Sequence, residues 1–280
     1  MIEGLETPLR LTAIALLLRP AGPWFVRPGV LAIAVLVLLS GRVLRAPLTW
    51  GILAILIATR IADDWPLSDN HIYLLVYWCL AIALALPHEN REEVLARSSR
   101  WLLGLAFAFA VLWKAVLSPD YVDGRFFRVT LLTDPRFSDA ALLIGRLTPE
   151  QLAHDQQALQ PLPDGAQLLT PPEIVETPQL RRLAAMATWG GLFLESAVAL
   201  AMLLPSWRRD IIRHVLLLTF CLVTYALAPV AGFGWLLVVM GLALIHDDWP
   251  ALRRIYVAVF IVVLFYSEVP WAALMRGAGG

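Results

Sequence analysis

The chain has 280 residues, 59% of them hydrophobic and 16% charged, with a formal net charge of zero. A mean hydropathy of +0.71 is far too high for a soluble domain of this size, which excludes an ordinary aqueous enzyme and points to a polytopic helical membrane protein. With no basic stripe and no net positive charge, the sequence also excludes a nucleic-acid partner, because phosphate binding needs clustered base on a solvated face.

Glu3 and Glu6 precede the first apolar run, 8–18, which has no basic leader and no small-residue cleavage site and so is not read as a signal peptide. A span needs about 20 apolar residues, so this shorter run is expected to be an interfacial helix, with a tilted extra span as the alternative. Eight longer runs follow, at 29–39 with its flanks, 48–61, 70–86, 101–117, 184–204, 211–228, 233–245 and 251–269. Their helical lengths predict an all-α, single integral membrane domain over 1–280 with about eight transmembrane helices.

Arginine in the short connections sets the expected orientation. One side carries Arg42 and Arg45, then Arg91, Arg97 and Arg100, then Arg208, Arg209 and Arg213, and finally Arg253 and Arg254. The short connections on the opposite side hold only Arg60, so the first side is expected to be cytoplasmic, in an inner or plasma membrane. The 118–182 segment then faces outward. It contains amphipathic fragments and two helix starts, Thr148-Pro149-Glu150-Gln151 and Thr177-Pro178, in which a capping threonine precedes a first-turn proline. Short helices lying on the outer face as a lid are expected there. The repeated Asp-Asp-Trp-Pro at 63–66 and 247–250 reads as an interfacial tryptophan followed by a helix-starting proline.

Lys114 is the only lysine in the chain and sits inside an apolar run, where a cation is costly enough to require a partner, water or a use. Lysine, unlike arginine, loses its proton readily when desolvated and can then act as a general base; snorkelling to the headgroups is the idle alternative. Glu195 lies in the middle of the fifth long run, two positions open to the same argument, and Gly190 and Gly191 one turn away would let a neighbouring helix approach closely. A Lys114–Glu195 ion pair is one concrete structural outcome. His71 opens the third long run behind Asp69 and Asn70, and shares the expected outer side with Lys114. Cys79 and Cys221 form no CxxC and read as buried thiols. His246-Asp247-Asp248 lacks a further ligand, so no metal is predicted. Thr219, Thr224 and Tyr225 read as helix-packing hydroxyls.

Three stretches in one order resemble the HTTM (horizontally transferred transmembrane) domain, the membrane core shared with vitamin K-dependent gamma-carboxylase. Asp69-Asn70-His71 with Tyr73 resembles the Asn-Asn-His segment that opens a membrane helix in that family. Lys114 followed by Asp120-Tyr121-Val122-Asp123-Gly124 is similar to the lysine helix with its aromatic-Val-acid-Gly turn, and Gly190-Gly191 with Glu195 resembles the family's Gly-Gly-Leu-Leu-Leu-acid helix. The resemblance covers about 48–241. It implies an outward-facing site for a reduced naphthoquinone of the vitamin K type, with Lys114 as base, His71 as hydrogen-bonding partner, and Glu195, Asn70 and Cys221 as supporting polar groups. It also implies the lipid bilayer and an exported protein substrate as partners. Phe220-Cys221 stands where the family has Phe-His, the turn after Lys114 is about two residues longer, and the sequence ends at Gly280 without the region that recognises substrate propeptides. A non-catalytic scaffold or partner-binding module, and a small transporter, stay open as alternatives.

Overall fold

The computed structural model describes residues 3–66, 68–162, 165, 167, 170, 173–205, 210–227, 230–245 and 249–269. Among them are fourteen α-helices and no strand. The first half holds α1 (Glu3–Leu18), α2 (Arg27–Leu39), the single turn α3 (Gly41–Leu44), α4 (Pro47–Asp63), α5 (Asn70–Ala85) and α6 (Arg91–Leu112). A π-helical turn, Trp113–Leu117, prolongs α6. Four short helices follow, α7 (Pro119–Val122), α8 (Arg125–Thr133), α9 (Ser138–Leu143) and α10 (Pro149–Ala158), and then the long α11 (Pro178–Leu203), α12 (Asp210–Leu227), α13 (Ala231–Leu242) and α14 (Pro250–Glu268).

Each of the eight long apolar runs is helical. Three helices, Arg91–Leu117, Pro178–Leu203 and Asp210–Leu227, are long and apolar enough to cross a membrane. Leu36, Ile55, Leu84, Phe109, Phe193 and Leu200 are exposed on the perimeter, an apolar exterior that water would disfavour and acyl chains would not. The interior is organised around α13, which touches α1, α5, α6, α12 and α14. Trp235 to Met240 are all buried, as expected for a helix that is apolar all round.

The 8–18 run is not a surface helix. In α1 the residues Leu9, Thr12, Ala13 and Leu16 lie on one face and are buried against α2 and α13, a spacing of three and four that makes a helix face. Thr12 is the one polar residue on that buried face. Its hydroxyl donates to Pro8 O at 2.8 Å and accepts from Trp78 Nε1 at 3.0 Å, so a polar residue is satisfied inside the core. Both ends of α1 are fixed: Glu6 is ion-paired with Arg45, Arg253 donates to Gly4 O at 3.1 Å, and Arg19 lines a cavity with His71 and Gly232. The helix therefore runs the length of the bundle.

Several arginines of the rich end have structural duties. Arg213 donates to Ala201 O at 2.7 Å and Leu204 O at 2.9 Å, and Arg253 donates to Ile245 O at 3.1 Å, satisfying carbonyls that helix C-termini leave open. Arg208, Arg209 and His246-Asp247-Asp248, and with them the second Asp-Asp-Trp-Pro, fall partly or wholly outside the described residues. At the first copy Pro66 opens no helix, since α5 starts at Asn70, whereas Pro250 of the second stands in the first turn of α14 as expected.

The short helices expected in the 118–182 segment are present as α7 to α10. Thr148 and Gln151 form a complete capping box on α10, and Thr177 Oγ1 accepts from Leu180 N at 3.0 Å to start α11. Leu131, Leu132, Ala141, Leu147 and Leu152 pack with Leu180, Leu183 and Ala184 in a second small core. The first turns of α11 thus belong to the lid.

Candidate functional site

Lys114 stands in the π turn, and Leu103, Phe107 and Lys114 follow the spacing of one helix face. Helix α6 packs along α11, antiparallel to it, while Phe107 meets the Phe220 ring of α12 at 4.8 Å. At the near end Gly104 admits the partner closely, since a Cβ there would lie 2.6 Å from Leu203 Cδ2 and 3.2 Å from Met202 Cβ. Ten residues on, a rise of about 15 Å, the same face reaches Glu195, whose Oε1 accepts from Lys114 Nζ. Side-chain exposure is 27% for Lys114 and 10% for Glu195, so the pair is reached from one edge.

The turn after Ser118 closes over the pair. Gly124 adopts φ +79°, a left-handed conformation that glycine takes without strain, and sits 3.9 Å (from its virtual Cβ) from Thr188 Oγ1 on α11. This places the Tyr121 ring 5.2 Å from Lys114 Nζ, within range of a cation–π attraction. Phe126 and Phe127 pack on Tyr121 at 5.5 and 5.6 Å and wall the site toward the lid. Burial pushes the Tyr121 phenol up, and the Glu195 carboxylate adds to the shift, so the phenol keeps its proton.

Three buried polar atoms on α11 and α12 have no hydrogen-bond partner: Glu195 Oε2, Thr188 Oγ1 and Tyr225 Oη. The free carboxylate oxygen and the ammonium make a set that can accept a proton and steady the anion left behind. Glycine plays a different part from the one expected. Gly190 is exposed with nothing within 4 Å of a virtual Cβ, and Gly191 faces the Tyr121 hydroxyl at 3.4 Å, so it makes room for the turn and not for another long helix.

The structure brings Lys114 and Glu195 together, and places the other named residues elsewhere. His71 is half-buried at the start of α5, 3.9 Å from Asp69 Oδ2 and 6.3 Å in ring separation from Phe233. It lines a cavity of about 170 Å³ between α1, α5 and α13, with Arg19 and Thr12, whose walls include neither Lys114 nor Glu195. Asn70 is exposed beside it. Cys221 is a free, fully buried thiol on α12. No group of three or more His, Cys, Asp or Glu side chains that could hold a metal occurs among the described residues. Tyr121 escaped sequence reasoning as a partner of the pair, although it lies seven residues after Lys114.

Scans against protein-family models, curated proteins and solved structures find no match for this chain.

Proposed function

We propose that this chain is a polytopic membrane enzyme of the HTTM type, with its eight long apolar helices crossing the bilayer, α1 in their midst, and the Lys114 site on the outer side. The observation that carries the reading is the half-closed Lys114–Glu195 pair, with a second carboxylate oxygen buried and unpartnered. In this reading the pair handles the proton of an acidic hydroxyl. Glu195 Oε2 accepts the proton, Lys114 stabilises the oxyanion, and Thr188 and the walling aromatics orient the ring and exclude water. The orphaned acceptor and the aromatic wall suit a reduced naphthoquinone, which when bound would supply an acidic hydroxyl and reducing equivalents. Base action by Lys114 alone would need its proton passed to Glu195 first, so the two act as one coupled group.

The experiment is binding of a reduced naphthoquinone to purified protein, followed by tryptophan fluorescence and by the absorbance of its anion. Wild type is expected to bind and to ionise the ligand below its solution pKa, whereas Glu195→Gln and Lys114→Ala bind at least about tenfold more weakly and leave it neutral. Equal binding and ionisation by all three proteins would remove the reading. The contact of Lys114 with both Glu195 and Tyr121 favours one second reading, a non-catalytic scaffold in which the pair is a structural clamp.

A further inference from the structure

The cavity between α1, α5 and α13 has a polar mouth and an apolar shaft. Each helix contributes a row of lining residues, and the rows begin at the same end with Arg19 on α1, His71 on α5 and Gly232 on α13. From there they run inward to Leu16, Leu75 and Val239, with Thr12 at the floor. Arg19 and Thr12 are seven residues apart, about 10 Å along the helix, so the cavity is a slot with its cation at one end. At the floor Thr12 already donates to Pro8 O and accepts from Trp78 Nε1. A trapped water needs two to four polar partners. The shaft offers few, which suits it to an apolar group.

The mouth suits an anion. Arg19 is exposed there and carries a planar fork of donors that matches a carboxylate, and the half-buried His71 imidazole adds a ring N–H. Asp69 Oδ2 stands 3.9 Å from His71 Nε2, but its side chain is exposed and lines no part of the cavity; it tempers the positive charge, which favours a monoanion over a dianion. Gly232, Leu236 and Val239 are spaced by four and three, on one face of α13. A Cβ at Gly232 would meet nothing within 4 Å, whereas Gly234 and Gly241 of the same helix make room for the Tyr225 and Tyr256 rings. Packing accounts for those two glycines and leaves Gly232 as the position that keeps the mouth clear. Protein interiors seldom keep a void larger than a water molecule. At about 170 Å³ the slot compares with an engineered apolar cavity of about 150 Å³ that binds benzene, and falls short of the roughly 300 Å³ at which drug-sized pockets begin. A whole lipid is therefore too large.

We propose that this slot binds a small monocarboxylate bearing a ring or chain of about six carbons, with the carboxylate on Arg19 and His71 and the apolar end in the shaft toward Thr12. The site is separate from the Lys114–Glu195 pair, which lines no part of it, and it stands or falls independently of the naphthoquinol reading.

The probe is radiolabelled benzoate, followed by equilibrium dialysis against the purified full chain in detergent, with protein-free micelles as the blank. Wild type is expected to bind it saturably with a Kd of about 1 mM or tighter. Acetate keeps the head without the tail, and benzamide keeps the ring without the charge. Each is expected to displace the label at least about tenfold less well than unlabelled benzoate. Arg19→Gln removes the charged fork and is expected to weaken benzoate binding at least about tenfold. Gly232→Leu fills the mouth and is expected to abolish binding without lowering the melting temperature, because its Cβ enters open space. Either variant decides the matter if the other fails to fold. An excess of reduced naphthoquinone is expected to leave the label bound. No saturation by about 10 mM benzoate, equal displacement by benzamide, wild-type affinity in the folded variants, or displacement by the naphthoquinol would overturn the proposal.

Discussion

At the scale of single residues the molecule turns on a buried carboxylate whose two oxygens have different fates. Lys114→Met leaves Glu195 at 10% exposure with no cation, and is expected to destabilise the protein by about 2 kcal/mol, below the usual figure for a fully buried pair because the lysine keeps a quarter of its surface in contact with solvent. Lys114→Met combined with Glu195→Gln is expected to be more stable than Lys114→Met alone, and chemical denaturation of the three variants in detergent measures the coupling. A double variant less stable than both singles would mean that the two side chains do not act as a pair. Tyr121→Leu removes the ring 5.2 Å from Nζ and is expected to lower stability by about 1 kcal/mol, while Tyr121→Phe keeps it. The sequence made Lys114 and Glu195 conspicuous, because a charge in an apolar run is costly wherever it lies. Sequence alone passes over Thr188 and reads Tyr225 as a packing hydroxyl, since a hydroxyl in a helix is cheap to bury when bonded to its own backbone, and only the structure shows that these two are not.

At the scale of elements, α6 and α11 are set in register by a glycine at one end and an ion pair at the other. Gly104→Val places branched carbon where Leu203 and Met202 already stand, and is expected to cost about 1–3 kcal/mol; Gly190→Ala, on an open face, is expected to be neutral or slightly stabilising. Melting temperatures of the two variants check the contrast. In the lid, the Arg136 guanidinium beside Asp134 holds that carboxyl below the usual carboxylate range. A depressed folded value contributes stability above the unfolded pKa of about 3.9, lost as pH falls through the folded value. Amide exchange over residues 134–137 is therefore expected to accelerate as the pH drops below about 4, and Arg136→Gln to blunt the change. Helix starts at Thr148 and Thr177 were legible because capping is local chemistry. The placement of α1 was not, because the reading rests on the run's length, and groups that bury it lie far along the chain, 66 residues on in the case of Trp78 against Thr12.

At the scale of the whole molecule, the arginine count predicts that His88 and Ala153, both exposed, lie on opposite sides of the membrane. A membrane-impermeant maleimide is expected to label Ala153→Cys on intact cells and His88→Cys only after permeabilisation. Native Cys79 and Cys221 are buried and give no background. Labelling of both variants on intact cells would contradict the topology. The all-helical class was readable from composition alone, whereas the central position of α13 was not, since a uniformly apolar helix looks the same in sequence whether lipid or protein surrounds it. The bond from Arg253 to Gly4, 249 positions apart, ties the order of synthesis to the order of assembly. At about 5–20 residues per second, the ribosome needs on the order of 10–50 s after making α1 to deliver its last partner. For that interval the first helix has α2 and Trp78 of α5 against it and lacks only α13 and the bond from Arg253, and a ribosome that stalls before α13 releases a chain whose earliest helix is covered in part.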